Sequence, residues 1–309
     1  MDLTIAYITG RADPRLDWLT TSLAFQANAT DIIRLLVIDS TGKALVNSPT
    51  ARWPNITVAT PKPNPWQGKH RLTARDCWAK SNAINTALVL CQTDYIAFVD
   101  DRCSLGVDWL SVVREYERSR TAVVVGSYEK YELHGTIYAK RIADEPRSVP
   151  RVYVTKDTRL DQAPLGRANC GGGWLYGCTY ALPLEWALEV NGAEEGCDGM
   201  GTEDYIFGLM LANGGRRIDY APSMRVIQRR DEVLTPGTPT IPLWRSDKGV
   251  SPNDKSHAAL ARFGKRNRTE FTPDLRKLRD DFARGRPWPL PDPDLHDWFD
   301  GQPIREMGR

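Results

Sequence analysis

Apolar, β-branched runs alternate with helix-like segments through the first half of the chain, and this alternation limits the fold more than any other feature. Continuous apolar strands separated by helices are typical of a parallel sheet covered by helices on both faces. The sequence therefore predicts an α/β fold with a mostly parallel central sheet. The predicted strands are LTIAYIT, RLLVID, ITVAT, YIAFVD and AVVVGS. Helices are predicted after Asp13-Pro14, over residues 72 to 90, and near 107 to 118 and 272 to 284.

The regular alternation ends near residue 130, which suggests a change in organisation. A chain of 309 residues can form two domains or one large one. We expect a core over residues 1–230, with a first half at 1–128 and a second half at 129–230. Proline and basic residues dominate residues 231–309, so this segment is predicted to be an extension that wraps the core.

Bulk composition argues against several classes of protein. The net charge of +2 gives no whole-protein reason to expect nucleic acid or an anionic membrane as a partner. No apolar run approaches the roughly 18 residues that a membrane span needs, and the N-terminus does not resemble a signal peptide. The six cysteines contain no CxxC pair and the four histidines are scattered, which argues against zinc. We expect a cytoplasmic protein with reduced thiols.

Acidic residues stand at the ends of predicted strands. Asp39 ends the second strand, and Asp100 and Asp101 end a later one, followed at once by Arg102. Ligands of parallel sheets bind at the carboxyl ends of the strands, so these carboxylates should open onto one crevice. Asp39 alone fits a simple turn as well. Two adjacent carboxylates repel each other, which points to a cation or to ribose hydroxyls between them.

A second acidic pair, Glu203 and Asp204, follows the glycine-containing stretch GMGT and begins a predicted helix. A structural explanation is that Thr202 caps the helix and that both acids complement its dipole. That explanation does not account for the glycines, which allow backbone to pass close to a bound molecule. The two carboxylates are therefore candidates to face a ligand-binding cleft.

Two further segments are ambiguous. Gly172, Gly173 and Trp174 form either a bulge with a core indole or a flat stacking face for a ligand. In KSNAINTAL, Lys80 and Asn85 share one side of a predicted helix. A solvated helix face is the default interpretation of that side.

The order of these segments resembles the GT-A glycosyltransferases, particularly the family 2-like inverting enzymes, over roughly residues 3 to 228. LTIAYITGRADPRLDWLTTSLAFQ is similar to the opening strand and helix of that family, and IDST to its strand-end aspartate. The matches continue in sequence order with the lysine-to-asparagine helix, the DxD region, the acceptor-side segment and the Gly-x-Glu-Asp motif. These are KSNAINTAL, YIAFVDDRCSLGVDWL, GGGWLYGCTYALPLEWALEVNGAEE and GMGTEDYIFGLML.

The resemblance implies a GT-A fold and transfer of a sugar from a nucleotide-diphosphate sugar to an acceptor hydroxyl, with inversion. Asp204 is the expected general base and Glu203 its neighbour, with the reverse assignment left open. Residues 1–128 would form the nucleotide-sugar half and 129–230 the acceptor and catalytic half. The implied donor contacts are Thr9, Arg11, Asp39, Lys80, Asn85, Asp100, Asp101 and Arg102, and the implied acceptor contacts are Gly172, Gly173 and Trp174.

The resemblance also implies a Mg²⁺ or Mn²⁺ ion at Asp100 and Asp101, but the chain departs from the pattern twice. Arg102 occupies the position of the metal-binding aspartate, and Gln228 lies where the family often has a histidine. His257 is a possible substitute ligand, although a lone histidine is more often surface. Arg102 could instead clamp phosphate oxygens or form a surface ion pair with Asp101 or Asp108.

Other functions remain open from the sequence. A dinucleotide-dependent oxidoreductase is disfavoured because no G-x-G-x-x-G follows the first strand, and a nucleotidyltransferase would need a more glycine-rich, basic loop there. The altered DxD region also suits a degenerate sugar-nucleotide or carbohydrate-binding module. The expected acceptor is a carbohydrate or another hydroxyl-bearing molecule. The basic stretch RFGKRNR leaves a hydroxylated nucleic-acid base as an alternative acceptor.

Overall fold

A computed structural model describes residues 2–11, 14–28, 30–42, 53–72, 78–133, 152–198, 203–230 and 271–293. The strands are β1 Asp2–Thr9, β2 Ile32–Asp39, β3 Ile56–Ala59, β4 Tyr95–Asp100, β5 Cys103–Leu105, β6 Val123–Leu133, β7 Val152–Lys156, β8 Thr179–Pro183 and β9 Ile218–Arg230. The helices are α1 Leu16–Ala24, α2 Lys80–Leu90, α3 Trp109–Ser119, α4 Arg159–Gln162, α5 Leu184–Glu189, α6 Glu203–Asn213 and α7 Leu275–Ala283. The predicted α/β class is confirmed.

The nine strands of the described residues form one sheet in the order β3-β2-β1-β4-β8-β6-β9-β5, with β7 added beside β6. Strands β3, β2, β1 and β4 are mutually parallel, as their continuous apolar runs predict. Thr9 pairs with Asp39, and Ile8 pairs with Asp100. The predicted strand-end residues therefore share one edge of the sheet.

The second half of the sheet is mixed. Strand β8 runs antiparallel to β4 and to β6, whereas β9 is parallel to β6. The register between β6 and β9 shifts between Gly126 and Tyr128. A Cβ on Gly126 would lie only 1.9 Å from the Met224 carbonyl oxygen, so a glycine is needed where the strands come this close.

Helices cover both faces of the sheet, and each face has its own apolar core. On one face, α1 and α3 contribute buried side chains such as Leu16, Leu19 and Trp109. On the other face, α2, α6 and α7 contribute Ala87, Phe207 and Leu275. Burial of these side chains on both faces explains why the strands lack an alternating polar pattern.

Helix α2 differs from its prediction in length and environment. It begins at Lys80 rather than near residue 72, and residues 73–77 lie outside the described part of the chain. Every residue from Ser81 to Val89 is buried, so the default of a solvated polar face is wrong. The polar side chains of this helix face other polar groups of the protein.

Helix α7, in the predicted extension, docks onto the end of α2. Leu275 and Leu278 are buried in the core. The Arg279 guanidinium donates hydrogen bonds of 3.1 Å to the carbonyls of Leu88 and Val89. A cation at these carbonyls satisfies acceptors that a helix C-terminus leaves unpaired. This contact supports an extension that packs on the core, while the domain boundary at residue 230 stays a prediction.

Two expectations from composition can be compared with the described residues. The five described cysteines are all unpaired thiols, as predicted, and Cys77 lies outside them. Within the described ranges, no helix has the length and apolar character to cross a lipid bilayer.

Candidate active site

The Asp101 carboxylate accepts hydrogen bonds from residues at the end of the first strand and just after it. The Thr9 hydroxyl donates to Asp101 Oδ2 at 2.8 Å, and Arg11 Nε donates to Oδ1 at 3.3 Å. Burial raises the pKa of Asp101, while Arg11 and Thr9 act in the opposite direction. The structure thus brings together three residues that the sequence assigned to the donor.

Arg102 adopts a left-handed backbone conformation, with φ of 56°. Its backbone N–H donates to the Tyr7 hydroxyl at 2.7 Å and to the Pro14 carbonyl at 2.9 Å. These contacts hold a conformation that residues other than glycine seldom adopt. Arg102 is only 6% exposed. A surface ion pair, which was one explanation of this residue, does not fit that burial.

Lys80 links the two acidic pairs. Its Nζ lies 3.1 Å from Asp100 Oδ1 and 3.6 Å from Glu203 Oε1. Burial alone would lower the pKa of Lys80, but Asp100, Glu203 and Asp204 raise it well above its usual value. The residues predicted from β4, α2 and α6 therefore form one cluster with a permanent positive charge at its centre.

Asp204 is oriented by two backbone N–H groups. Gly177 N donates to Oδ2 at 2.7 Å, and Tyr205 N donates to Oδ1 at 2.8 Å. A Cβ at Gly177 would lie 2.7 Å from Lys80 Nζ and 3.3 Å from Asp204 Oδ2, so a larger residue here would displace the Lys80 ammonium. Sequence reasoning missed Gly177, although it lies three residues beyond the Trp174 that it singled out.

Asp39 lies at the same edge and forms a local turn. Its Oδ1 accepts hydrogen bonds of 2.8 Å from both the backbone N–H and the hydroxyl of Thr41. This is the turn-forming role that a strand-end aspartate commonly has. The predicted contact of Asp39 with the donor stays a prediction.

Comparisons with known proteins agree on the class of this fold. Residues 66–179 match the family model described as Glycosyl transferase family 2. The chain also superposes on a crystal structure of GalNAc-T7 with UDP, GalNAc and Mn²⁺, with a TM-score of 0.54 and 11% identity. The fold is the GT-A glycosyltransferase fold.

A second GT-A structure, S. aureus TarS 1–349 in complex with UDP-GlcNAc, superposes with a TM-score of 0.53 and 12% identity. The alignments cover 93% and 92% of this chain, but only 59% of the GalNAc-T7 chain and 74% of the TarS chain. A comparison with curated protein sequences finds no significant match.

The glycine run of this GT-A chain makes room for the helix that carries Glu203 and Asp204. A Cβ on Gly172 would lie 2.4 Å from the Gly208 carbonyl oxygen, and one on Gly173 would lie 2.9 Å from the Tyr205 ring. Gly172 and Gly173 therefore have a packing role, and their predicted contact with the acceptor stays a prediction.

The Trp174 indole is partly covered by other side chains. It packs against the Tyr220 ring, with 5.4 Å between the ring centroids. The Arg167 guanidinium lies 5.4 Å from the centroid of the Trp174 ring. This environment resembles the core indole that the sequence left as an alternative to a stacking face. The predicted contact of Trp174 with the acceptor stays a prediction.

Asn85 lies away from the carboxylate cluster. Its amide donates to the Ala193 carbonyl and to Glu195 Oε1, both at 2.8 Å, and accepts from Ala193 N at 2.8 Å. The side chain is fully buried, and these contacts give it a structural role. The structure therefore does not bring Asn85 to the other predicted donor contacts.

A buried acid anchors the N-terminus of α2. Asp198 accepts hydrogen bonds from Ser81 N at 2.6 Å and Asn82 N at 2.9 Å. Burial and the nearby Glu195 raise the pKa of Asp198 well above its usual value, and the two N–H groups oppose that shift. Because Lys80 is the first residue of α2, this contact also positions Lys80. No sequence signal identified this role, since Asp198 is remote from α2 in the chain.

The predicted metal ligands are brought together only in part. Asp100 and Asp101 are adjacent, and Gln228 Nε2 donates to the Asp101 carbonyl at 3.2 Å. In the described part of the chain, no group of three or more histidine, cysteine, aspartate or glutamate side chains could hold a metal ion. His257 lies outside the described residues, as does RFGKRNR.

Proposed function

We propose that this chain transfers a sugar from a UDP-sugar to an acceptor hydroxyl with inversion at the anomeric carbon. The single observation that carries the proposal is the cluster in which Lys80 joins Asp100, from the strand-end pair, to Glu203, from the helical pair. UDP is the proposed nucleotide because both structural neighbours were solved with UDP or a UDP-sugar.

Asp204 is the proposed general base. Glu203 is 7% exposed and lies near the Lys80 ammonium, whereas the Asp204 carboxylate is half-buried and held by two N–H groups. An acceptor hydroxyl must reach the base, and Asp204 is the more exposed of the two carboxylates. During transfer, the acceptor oxygen bonds to the anomeric carbon, its proton passes to Asp204, and the bond to the diphosphate breaks.

The leaving diphosphate takes the electron pair of the broken bond and needs positive charge nearby. If Mg²⁺ or Mn²⁺ supplied that charge, Asp100 and Asp101 would be the residues to hold it, as the sequence resemblance implies. Here Asp100 is paired with Lys80, and both Asp101 oxygens accept hydrogen bonds from Thr9 or Arg11. Carboxylates that are already engaged in this way do not fit a divalent ion well, and the metal stays a prediction.

Release of free nucleotide tests the proposed function. The protein should release UDP from at least one of a panel of UDP-sugars, and candidate acceptors should increase the rate. A degenerate binding module would bind the same donors without turnover. Binding without turnover against a broad panel of carbohydrate and other hydroxyl-bearing acceptors would contradict the proposed transfer.

The acceptor is proposed to be a carbohydrate or another hydroxyl-bearing molecule, and cytoplasmic location stays a prediction. The C-terminal extension is proposed to help select that acceptor, because the residues around Asp100 and Asp101 all precede it. A hydroxylated nucleic-acid base as acceptor depended on RFGKRNR, and no contact of the described residues favours it.

A chain that ends after Pro289 should fold and bind UDP with an affinity within about threefold of the full chain. This truncation keeps α7 and also Trp288, whose ring stacks on Phe282 at 5.0 Å between centroids. Calorimetric titration with UDP measures the affinity, and circular dichroism reports the fold. A folded truncation that has lost UDP binding would contradict the assignment of the extension to the acceptor.

A further inference from the structure

A lysine on β6 shares a row of the sheet with residues at the candidate site. Lys130 pairs with Gln228 of β9, and Gln228 pairs with Cys103 of β5. Side chains of directly paired residues project from the same face of a sheet, and neighbouring strands lie about 4.8 Å apart. Lys130 and Gln228 therefore project side by side.

The middle residue of this row faces the strand-end acids. Gln228 is only 4% exposed, and its amide nitrogen donates to the Asp101 carbonyl at 3.2 Å. The Gln228 amide oxygen is buried and has no hydrogen-bond partner among the described residues. The row thus reaches the turn at Asp100 and Asp101 through the Gln228 side chain.

The charge of Lys130 is not neutralised by an acid in the described part of the chain. Its ammonium lies over the Tyr128 ring, 4.7 Å from the centroid, which restrains the flexible side chain. Burial and Asp100 raise the pKa of the Cys178 thiol to about 11, and Lys130 and Lys80 act in the opposite direction. The pKa of this thiol is thus influenced by both Lys130 and Asp100.

We propose that Lys130 binds the diphosphate of the nucleotide and supplies positive charge as the sugar bond breaks. The proposal rests on the proposed function. Asp100 and Asp101 repel a diphosphate, and the cations that form ion pairs with them, Lys80 and Arg11, are already engaged with these carboxylates. The leaving group requires a further cation, and Lys130 lies in the row of the sheet that reaches Asp101 through Gln228.

Calorimetric titration in EDTA tests the proposal with UDP, GDP, ADP and TDP, and with the nucleoside of whichever diphosphate binds the wild type best. Lys130→Met should weaken diphosphate binding about tenfold to a hundredfold, as expected for a lost charged contact. Affinity for the nucleoside should stay within about twofold. Lys130→Arg keeps the charge and should retain most of the affinity. Lys156→Met is the matched control, because Lys156 is an exposed lysine on the neighbouring strand β7.

Three results would overturn the role of Lys130 alone. The first is a diphosphate affinity of Lys130→Met within about threefold of wild type. The second is an equal loss of affinity for the nucleoside. The third is a loss of diphosphate affinity in EDTA that excess Mn²⁺ abolishes. The last result would show that an ion supplies the charge. If wild type binds none of the diphosphates either in EDTA or with excess Mn²⁺, the proposed function fails and the role of Lys130 fails with it.

Discussion

Asp204→Asn should lower the rate of sugar transfer by about 10²-fold to 10⁴-fold, the usual contribution of a positioned general base. The amide keeps the shape of the side chain, and its oxygen can still accept the hydrogen bond from Gly177 N, which is 2.7 Å long in the wild type. It cannot take the proton of the acceptor hydroxyl. Affinity for UDP should therefore change by less than about threefold. Initial rates of UDP release with acceptor, together with calorimetric titration of UDP, measure both quantities.

Glu203→Gln is the matched comparison for this variant. The Glu203 carboxylate is buried beside Lys80, so loss of its charge should reduce transfer less than Asp204→Asn does. If Asp204→Asn turns over within about threefold of wild type while Glu203→Gln is inactive, the roles are reversed. Unchanged far-ultraviolet circular dichroism for both variants would exclude unfolding as the cause.

Lys62→Met should destabilise the protein by about 3 to 5 kcal/mol. Lys62 and Glu195 form an ion pair in the interior, with Nζ 2.6 Å from Oε1 and side chains that are 3% and 1% exposed. Removing the lysine leaves a carboxylate buried without its counter-charge. The loss should appear as a lower midpoint of guanidinium-induced unfolding with an unchanged slope.

Two variants show whether this loss comes from the unpaired charge. Lys62→Met combined with Glu195→Gln removes both charges, and it should recover part of the lost free energy of unfolding. Arg276→Met breaks the exposed pair with Glu185 and should change stability far less, since both side chains are more than half exposed. A cost for Lys62→Met no larger than that for Arg276→Met would contradict the structural importance of the buried pair.

The sequence by itself determined the parallel half of the sheet and much of the candidate site. Continuous apolar runs identify buried strands, and the carboxyl ends of parallel strands meet at one edge. These two facts alone predict that Asp39 and Asp100 share an edge, and the pairing of β1 with both of their strands confirms it. The acidic start of α6 was equally visible, because apolar residues with helical spacing directly follow Glu203 and Asp204.

Tertiary structure alone decided what the remaining polar residues contact. The polar side of α2 is buried because Glu195 and Asp198, more than a hundred residues away, supply its hydrogen-bond partners. The Trp174 indole likewise packs against Tyr220, another distant residue.

Strand register also decided contacts of the candidate site. Lys130 lies beside Gln228 only because of the pairing between β6 and β9. Local periodicity reports which residues of a strand share a face, but not which strand lies next to it or in what register. Contacts that depend on long-range pairing were therefore decided by the tertiary structure alone.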